Sequence, residues 1–415
     1  MNKLYALILL LCISCSNRQK EVAVSIENET DSIQSEVLEQ ASEPFFQIDL
    51  FKEMKKAQKG QLKLSDFFQS IEYVPLETTD KSLIGGGKRL KGFTVSSKVI
   101  IDDMKLFDRK DGHFIGNVMN QGQGPQEYLF MFSIAVDDER EECYVYDSGK
   151  GVIHIVGYDT MYKKSIPCKS DVKLISAGKG NLLIARSASL KGGYDDYYVL
   201  NIDSEEIIAK RRSSAFTNLK SIEDCRHIKS DQFKTLALGE NVFWKYKNEI
   251  RYYDYLTDSI YSINEHFKVT PIGYINCEDL KITKEQFKVG FLSRDFLTWS
   301  ITGIMETDNE LIVRYRSVIT KPTSKVTSYE LLYSKKDANS MSFQCDDGIF
   351  INDLDGGLAV SPYSQVYGEN GLCSYWSAEK IKDHKINTGK SSVFKSMANK
   401  LKYDDNEVVG ILKWK

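Results

Sequence analysis

From residue 45 onward, apolar and aromatic side chains fall in short runs of four to eight positions bounded by Gly, Asp, Asn or Lys, and stretches with a helical period are few. Such runs predict strands at 71–76, 98–101, 143–146, 152–156, 182–185, 197–202, 242–246, 250–253, 311–315, 329–333, 348–351 and 408–414. Tyr, Val, Ile and Phe dominate them, as a pleated and half-buried surface favours. Helical patterning is confined to 51–58, 284–287, 378–382 and 392–402. The pattern therefore predicts an all-β body with a few peripheral helices.

The runs also repeat. Val99-Ile-Ile-Asp-Asp, Lys105-Leu-Phe-Asp108 and Gly112-His-Phe-Ile-Gly can be laid over Tyr144-Val-Tyr-Asp147, Ile153-His-Ile-Val-Gly-Tyr-Asp159 and Tyr162-Lys-Lys-Ser-Ile. Asp102 and Asp147 are 45 residues apart, Asp108 and Asp159 51, and Asp159 and Asp203 44. A four-stranded propeller blade takes roughly 40 to 50 residues. One such sheet exposes both faces and cannot stand alone, whereas radial stacking buries each face against the next sheet. The expected fold is a six-bladed β-propeller with four-stranded antiparallel blades. To keep the ring from opening, the strand near 407–414 should share a blade with a strand from the beginning of the mature chain.

Ahead of this body the pattern changes. Lys3 precedes an apolar run over 4–13, about half the roughly 20 residues that a membrane-spanning helix needs; it reads as a secretory signal. The following Leu11-Cys-Ile-Ser-Cys15-Ser-Asn17 sets small Ser14 before Cys15 and resembles the lipobox of bacterial lipoproteins. That resemblance implies acylation of Cys15 as the new N-terminus. Several acyl chains, at about 0.8 kcal/mol per buried CH₂, would moor the protein to a bilayer. After Cys15 the chain is rich in Glu, Ser, Gln and Asn with isolated apolar positions, too few to fix a structure. The expected organisation is a signal peptide over 1–14, a flexible tether over 15–44 and the propeller over 45–415.

Composition adds exclusions. The 415 residues are 42% hydrophobic and 27% charged, which supports a packed core. With 55 Lys and Arg against 58 Asp and Glu, the net charge of -3 supplies no basic field for a nucleic acid partner. Cys143, Cys168, Cys225, Cys277, Cys345 and Cys373 never form a CxxC pair, so no zinc site is written; buried thiols and disulfides both remain open. His113, His154, His227, His266 and His384 show no metal-binding spacing.

Four segments carry a family resemblance. They are Leu64-Ser-Asp-Phe-Phe-Gln-Ser-Ile-Glu-Tyr-Val-Pro-Leu-Glu-Thr-Thr79, Gly122-Gln-Gly-Pro-Gln-Glu-Tyr128, Asp258-Ser-Ile-Tyr-Ser-Ile263, and Asn352-Asp-Leu-Asp-Gly-Gly357 with Pro362. In this order they resemble the six-bladed β-propeller lipoproteins of Bacteroidetes, which are distantly similar to NHL-repeat propellers. The resemblance implies the propeller, the lipid anchor and a cell-envelope address; it supplies no catalytic residues.

Two motifs are candidates for chemistry. In Gly122–Tyr128 the glycines permit close backbone approach and Pro125 stiffens the exit, so Glu127 and Tyr128 are candidate ligand-binding groups on a loop between blades; the plainer reading is a structural turn. Asp353 and Asp355 stand two apart before a glycine, a spacing that can wrap oxygen ligands around calcium, although a turn without metal is the preferred reading. No nucleophile elbow or phosphate-binding glycine loop is present in the sequence. The function expected is therefore a non-enzymatic binding or scaffold propeller of the cell envelope, taking a carbohydrate, peptide or protein ligand. A lyase or hydrolase working in the central channel and a structural subunit of an envelope complex are the alternatives. Ser16-Asn-Arg-Gln-Lys-Glu21 lacks an acidic export cluster, so a periplasm-facing outer-membrane address is preferred over surface display.

Overall fold

The structure is a computed structural model, and it describes residues 45–60, 62–85, 93–168, 172–186, 195–212, 241–255, 257–277, 297–319, 325–344, 348–384 and 393–415. Cys15, the signal peptide and the tether lie outside these residues, as do Cys225, Cys345, His227 and the helix expected at 284–287.

Six antiparallel sheets form the six blades. Blade 1 comprises Thr94–Val95, Val99–Asp102, Lys105–Asp108 and Phe114–Asn117, and blade 2 Met131–Asp137, Glu142–Asp147, Val152–Gly157 and Tyr162–Pro167. Blade 3 runs through Val172–Gly178, Asn181–Arg186, Asp195–Asn201 and Ile207–Arg212, and blade 4 through Val242–Tyr246, Glu249–Tyr253, Ser259–Ile263 and Val269–Asn276. Blade 5 holds Leu297–Glu306, Glu310–Ile319, Lys325–Ser334 and Ser340–Gln344. The repeat read from the sequence is the blade repeat: Asp102 and Asp147 end second strands, Asp108 ends a third strand, and Asp159 and Asp203 lie just past third strands.

Blade 6 closes the ring. Its inner strands Ser364–Gln365, Gly371–Trp376 and Val408–Trp414 come from the end of the chain, and its outer strand Phe68–Pro75 from the beginning. The two ends pair antiparallel from Val408↔Pro75 to Trp414↔Phe68, as the closure argument required. The outer strand runs on to meet blade 1, where Gly112 has φ +76° and a Cβ there would run into the Pro75 carbonyl.

The packing follows the stacking logic. Six apolar clusters lie between neighbouring blades, so each sheet buries both faces. Blades 1 and 2 share Ile101, Leu106, Val145 and Val156, for example, and blades 6 and 1 share Val74, Phe107, Val409 and Ile411. Cys143, Cys168, Cys277 and Cys373 are buried thiols outside any disulfide, which decides the alternative left open by their spacing for these four.

One feature was absent from the sequence pattern. Before it becomes the outer strand of blade 6, the chain straps the rims of two other blades. Phe46–Asp49 adds a fifth, parallel strand to blade 4, and Gln58 bridges Phe343 on the outer strand of blade 5. Leu62–Lys63 then pairs with Phe350–Ile351, so the strand expected at 348–351 is a two-residue piece outside the blades. Helix Leu50–Lys55 joins the first two contacts, its N-terminus capped by Asp49, whose carboxylate accepts from Lys52 N at 3.0 Å. The other helices among the described residues are Leu64–Phe67, Ala378–Asp383 and Val393–Lys400; none is long and apolar enough to cross a membrane.

Candidate functional site

The first strands of blades 1 and 2, 2 and 3, 4 and 5, 5 and 6, and 6 and 1 touch one another around the axis, and the turn after each first strand opens on one end of it. There the turns of blades 2 to 6 wall a funnel of about 800 Å³. Turns are polar because their backbone groups are unpaired and their residues must tolerate unusual φ, so the funnel wall carries charge: Asp137, Asp138, Glu306 and Asp308, with Glu139, Glu265 and Glu369 towards the rim, against Lys179, Lys245 and Lys247.

Most of these charges are already committed. Glu306 ends the first strand of blade 5 fully buried, and its carboxylate accepts from Trp244 Nε1 at 2.7 Å, Arg251 Nη1 at 2.6 Å and Lys335 Nζ at 2.7 Å. Two cations and an indole on one carboxylate make desolvation tolerable, and the Tyr246 ring lies 4.4 Å from the Arg251 guanidinium and 4.2 Å from the Lys335 ammonium. Asp308 accepts from Tyr246 OH at 2.8 Å and pairs with Lys247 at 3.1 Å. Those two contacts hold the Asp308 carboxyl below its usual range, while burial, followed by the hydrogen bond to Asp308, pushes the Tyr246 phenol up to about 12.

The acidic turn of blade 2 is equally occupied. Asp138 accepts Ser96 Oγ and Tyr158 OH at 2.7 Å each on one oxygen, and Ser97 Oγ at 2.6 Å and Ser97 N at 3.1 Å on the other, which ties blade 2 to blade 1. Asp137 accepts Glu139 N at 3.1 Å, Arg140 N at 3.3 Å and, from blade 3, Gly180 N at 3.2 Å. Two lysines of the wall stand apart: Lys179 is exposed at the rim, whereas Lys245 is largely buried. Its ammonium enters the funnel 5.7 Å from the centroid of the Tyr367 ring of blade 6, and among the described residues it forms no ion pair or hydrogen bond. Burial pulls its pKa below the ordinary lysine value, and the attraction of Asp137, Asp138 and Glu139 does not make up the difference.

The groups singled out in the sequence lie elsewhere. The loop carrying Glu127 and Tyr128 joins the outer strand of blade 1 to the inner strand of blade 2, hence at the opposite end of that inner strand from the funnel. Glu127 accepts Gly124 N at 2.7 Å, Lys150 Nζ donates to the Gly124 and Glu127 carbonyls at 2.5 Å each, and Tyr128 is half-buried against the cluster of blades 1 and 2. Asp353 accepts both Ser65 N at 2.8 Å and Ser65 Oγ at 2.6 Å, and Asp355 accepts Tyr73 OH at 3.1 Å and Gly357 N at 3.0 Å, so this turn pins the strap to blade 6. His154 is buried against Asp147 at 3.6 Å, and His384 Nε2 lies 3.1 Å from the Gly356 carbonyl. His113 stands in an exposed turn with Asp111 at 2.7 Å, and together with Asp108 these are the three described side chains close enough to share a cation. Lys245 and its surroundings carried no sequence signal, because five ordinary turns far apart in the chain build the funnel.

Closure by both chain ends and a charged mouth on the axis define the class: a six-bladed β-propeller with an axial recess. The chain belongs to the family described as a domain of unknown function, DUF4934, which matches residues 45–413. Among solved structures it is similar to an exported protein, so described, from Bacteroides fragilis, with 16% identity over 89% of this chain and 99% of the other at a TM-score of 0.61. A DUF4221 family member from Bacteroides vulgatus matches at 8% identity over 86% of this chain and 99% of the other, TM-score 0.45. Virginiamycin B lyase from Staphylococcus aureus matches at 8% identity over 83% and 99%, TM-score 0.37. The first likeness supports the fold, and the other two are too distant to bear on this chain. No curated protein matches the sequence.

Proposed function

We propose that the protein is a cell-envelope lipoprotein, moored through acylated Cys15, whose propeller binds a carbohydrate, peptide or protein ligand at the axial funnel without transforming it. The observation that carries this reading is the funnel itself: a recess of about 800 Å³, within the size range of small-ligand sites, in which Asp137, Asp138, Glu306 and Asp308 are committed to neighbouring donors rather than poised as an acid and a base. The B. fragilis relative is described as exported, which agrees with the secretory signal and the lipobox-like segment. The resemblance to Bacteroidetes lipoproteins and the absence of an acidic cluster after Cys15 favour the outer membrane, facing the periplasm. Glu127 and Tyr128 are then loop supports, and Asp353 and Asp355 turn residues that need no calcium.

The test uses the full chain and one variant. Asn248 is exposed on the funnel lip, so Asn248→Trp should narrow the mouth without touching the core. Against a panel of cell-wall oligosaccharides and short peptides, calorimetry should find binding to the parent that weakens about tenfold or more in the variant at an unchanged melting temperature. Binding that ignores the substitution would place the site elsewhere on the propeller.

A further inference from the structure

Lys245 shares a face of the first strand of blade 4 with Phe243, which packs against blade 3. This direction sends the lysine stem along the inter-blade seam and its ammonium into the funnel. A desolvated cation is costly unless an anion completes it. The nearest candidates within the fold are spoken for: both oxygens of Asp138 are taken by Ser96, Ser97 and Tyr158, and those of Asp137 by backbone N–H groups of its own turn and of Gly180. Glu139 is exposed on the rim. By contrast the buried Arg251 and the half-buried Lys335 share Glu306, and the buried Arg109 pairs with Glu72 at 3.1 Å. A cation left without a counter-ion, in the one recess on the axis described above, is what a site for an anion presents before it is filled.

We propose that the ammonium of Lys245 anchors a carboxylate carried by the ligand of the funnel. The inference rests on the reading of the funnel as the binding site and narrows it. Two sources carry this group in an envelope: the uronate of an acidic polysaccharide and the free C-terminus of a peptide.

The experiment takes the full chain with its lysines [¹³C]dimethylated, and Lys245→Met assigns the Lys245 resonance. Four probes are titrated: trigalacturonate, its methyl ester, acetyl-trialanine and its amide. At least one acid should shift the Lys245 resonance, raise its apparent pKa, and bind the unmodified protein about tenfold or more tightly than its neutral form, an advantage that Lys245→Met loses and Lys245→Arg keeps in part. A response to trigalacturonate identifies an acidic sugar, and one to acetyl-trialanine a peptide terminus. If neither acid moves the resonance, the anchor is wrong. If acid and neutral forms bind alike and independently of Lys245 but still weaken in Asn248→Trp, the anchor is wrong while the funnel stands as a binding site. Lys245→Met removes a desolvated charge and keeps the stem, so it should melt no lower than the parent.

Discussion

At the scale of single residues, the carboxylates of this propeller work as backbone clamps. Asp147, fully buried at the end of a second strand, accepts Leu129 N at 2.9 Å, Phe130 N at 3.0 Å, Gly149 N at 2.9 Å and Lys150 N at 3.3 Å, and so fixes the loop that brings the chain from blade 1 into blade 2. Burial by itself would raise its pKa, but the four N–H donors prevail and the carboxyl sits below the ordinary aspartate value of 3.8. A folded-state pKa that is lowered contributes stability above the unfolded value, and this is lost as pH falls through the folded value. A buried N–H left without an acceptor costs about 1–3 kcal/mol; the donors here are only partly buried and water can reach some of them, so Asp147→Ala should lose about 1–3 kcal/mol in urea unfolding at pH 7. The gap to the parent should narrow once the pH drops below 3.8. The repeat of Asp102 and Asp147 made this position visible in the sequence. Lys245 was not visible: a lysine in a strand is ordinary, and its isolation depends on where the oxygens of Asp137 and Asp138 point.

At the scale of elements, short apolar runs located the strands because period and composition are local properties. The runs at 242–246 and 408–414 coincide with strands Val242–Tyr246 and Val408–Trp414. The strap escaped for the opposite reason. Phe46–Asp49 has the burial alternation of a strand only because blade 4 offers it a parallel edge, with Phe46 facing Gly273 and stacking edge-on against Tyr333 at 6.0 Å. A Cβ on Gly273 would lie 2.7 Å from the Phe46 Cβ and 3.0 Å from its carbonyl oxygen. Gly273→Ala should therefore push the strap off blade 4, costing about 1–3 kcal/mol. Hydrogen exchange at residues 46–49 should quicken while the second strand of blade 2 keeps its protection. Equal protection of 46–49 in both proteins would show that the strap tolerates the methyl group.

At the scale of the whole molecule, the ring is held by the pairing of Phe68–Pro75 with Val408–Trp414, a contact between chain ends more than three hundred residues apart. Removing 408–414 leaves the outer strand of blade 6 without a partner and opens the seam to blade 1, where Val409 and Ile411 are buried. The shortened chain should lose its single cooperative melting transition, as followed by calorimetry, and should expose apolar edges that aggregate. A truncated chain that melts like the parent would mean that the seams alone hold the ring. The all-β class, the blade repeat, the number of blades and the closure by the two ends were all legible in the sequence, because hydrophobic period and sheet stacking follow from local pattern and from the need to bury two faces of every sheet. Only the tertiary structure decided the strap, the thiol state of the four described cysteines and the funnel. Each depends on which distant segments meet, and the funnel draws one turn from each of five blades, so no single stretch of chain contains it.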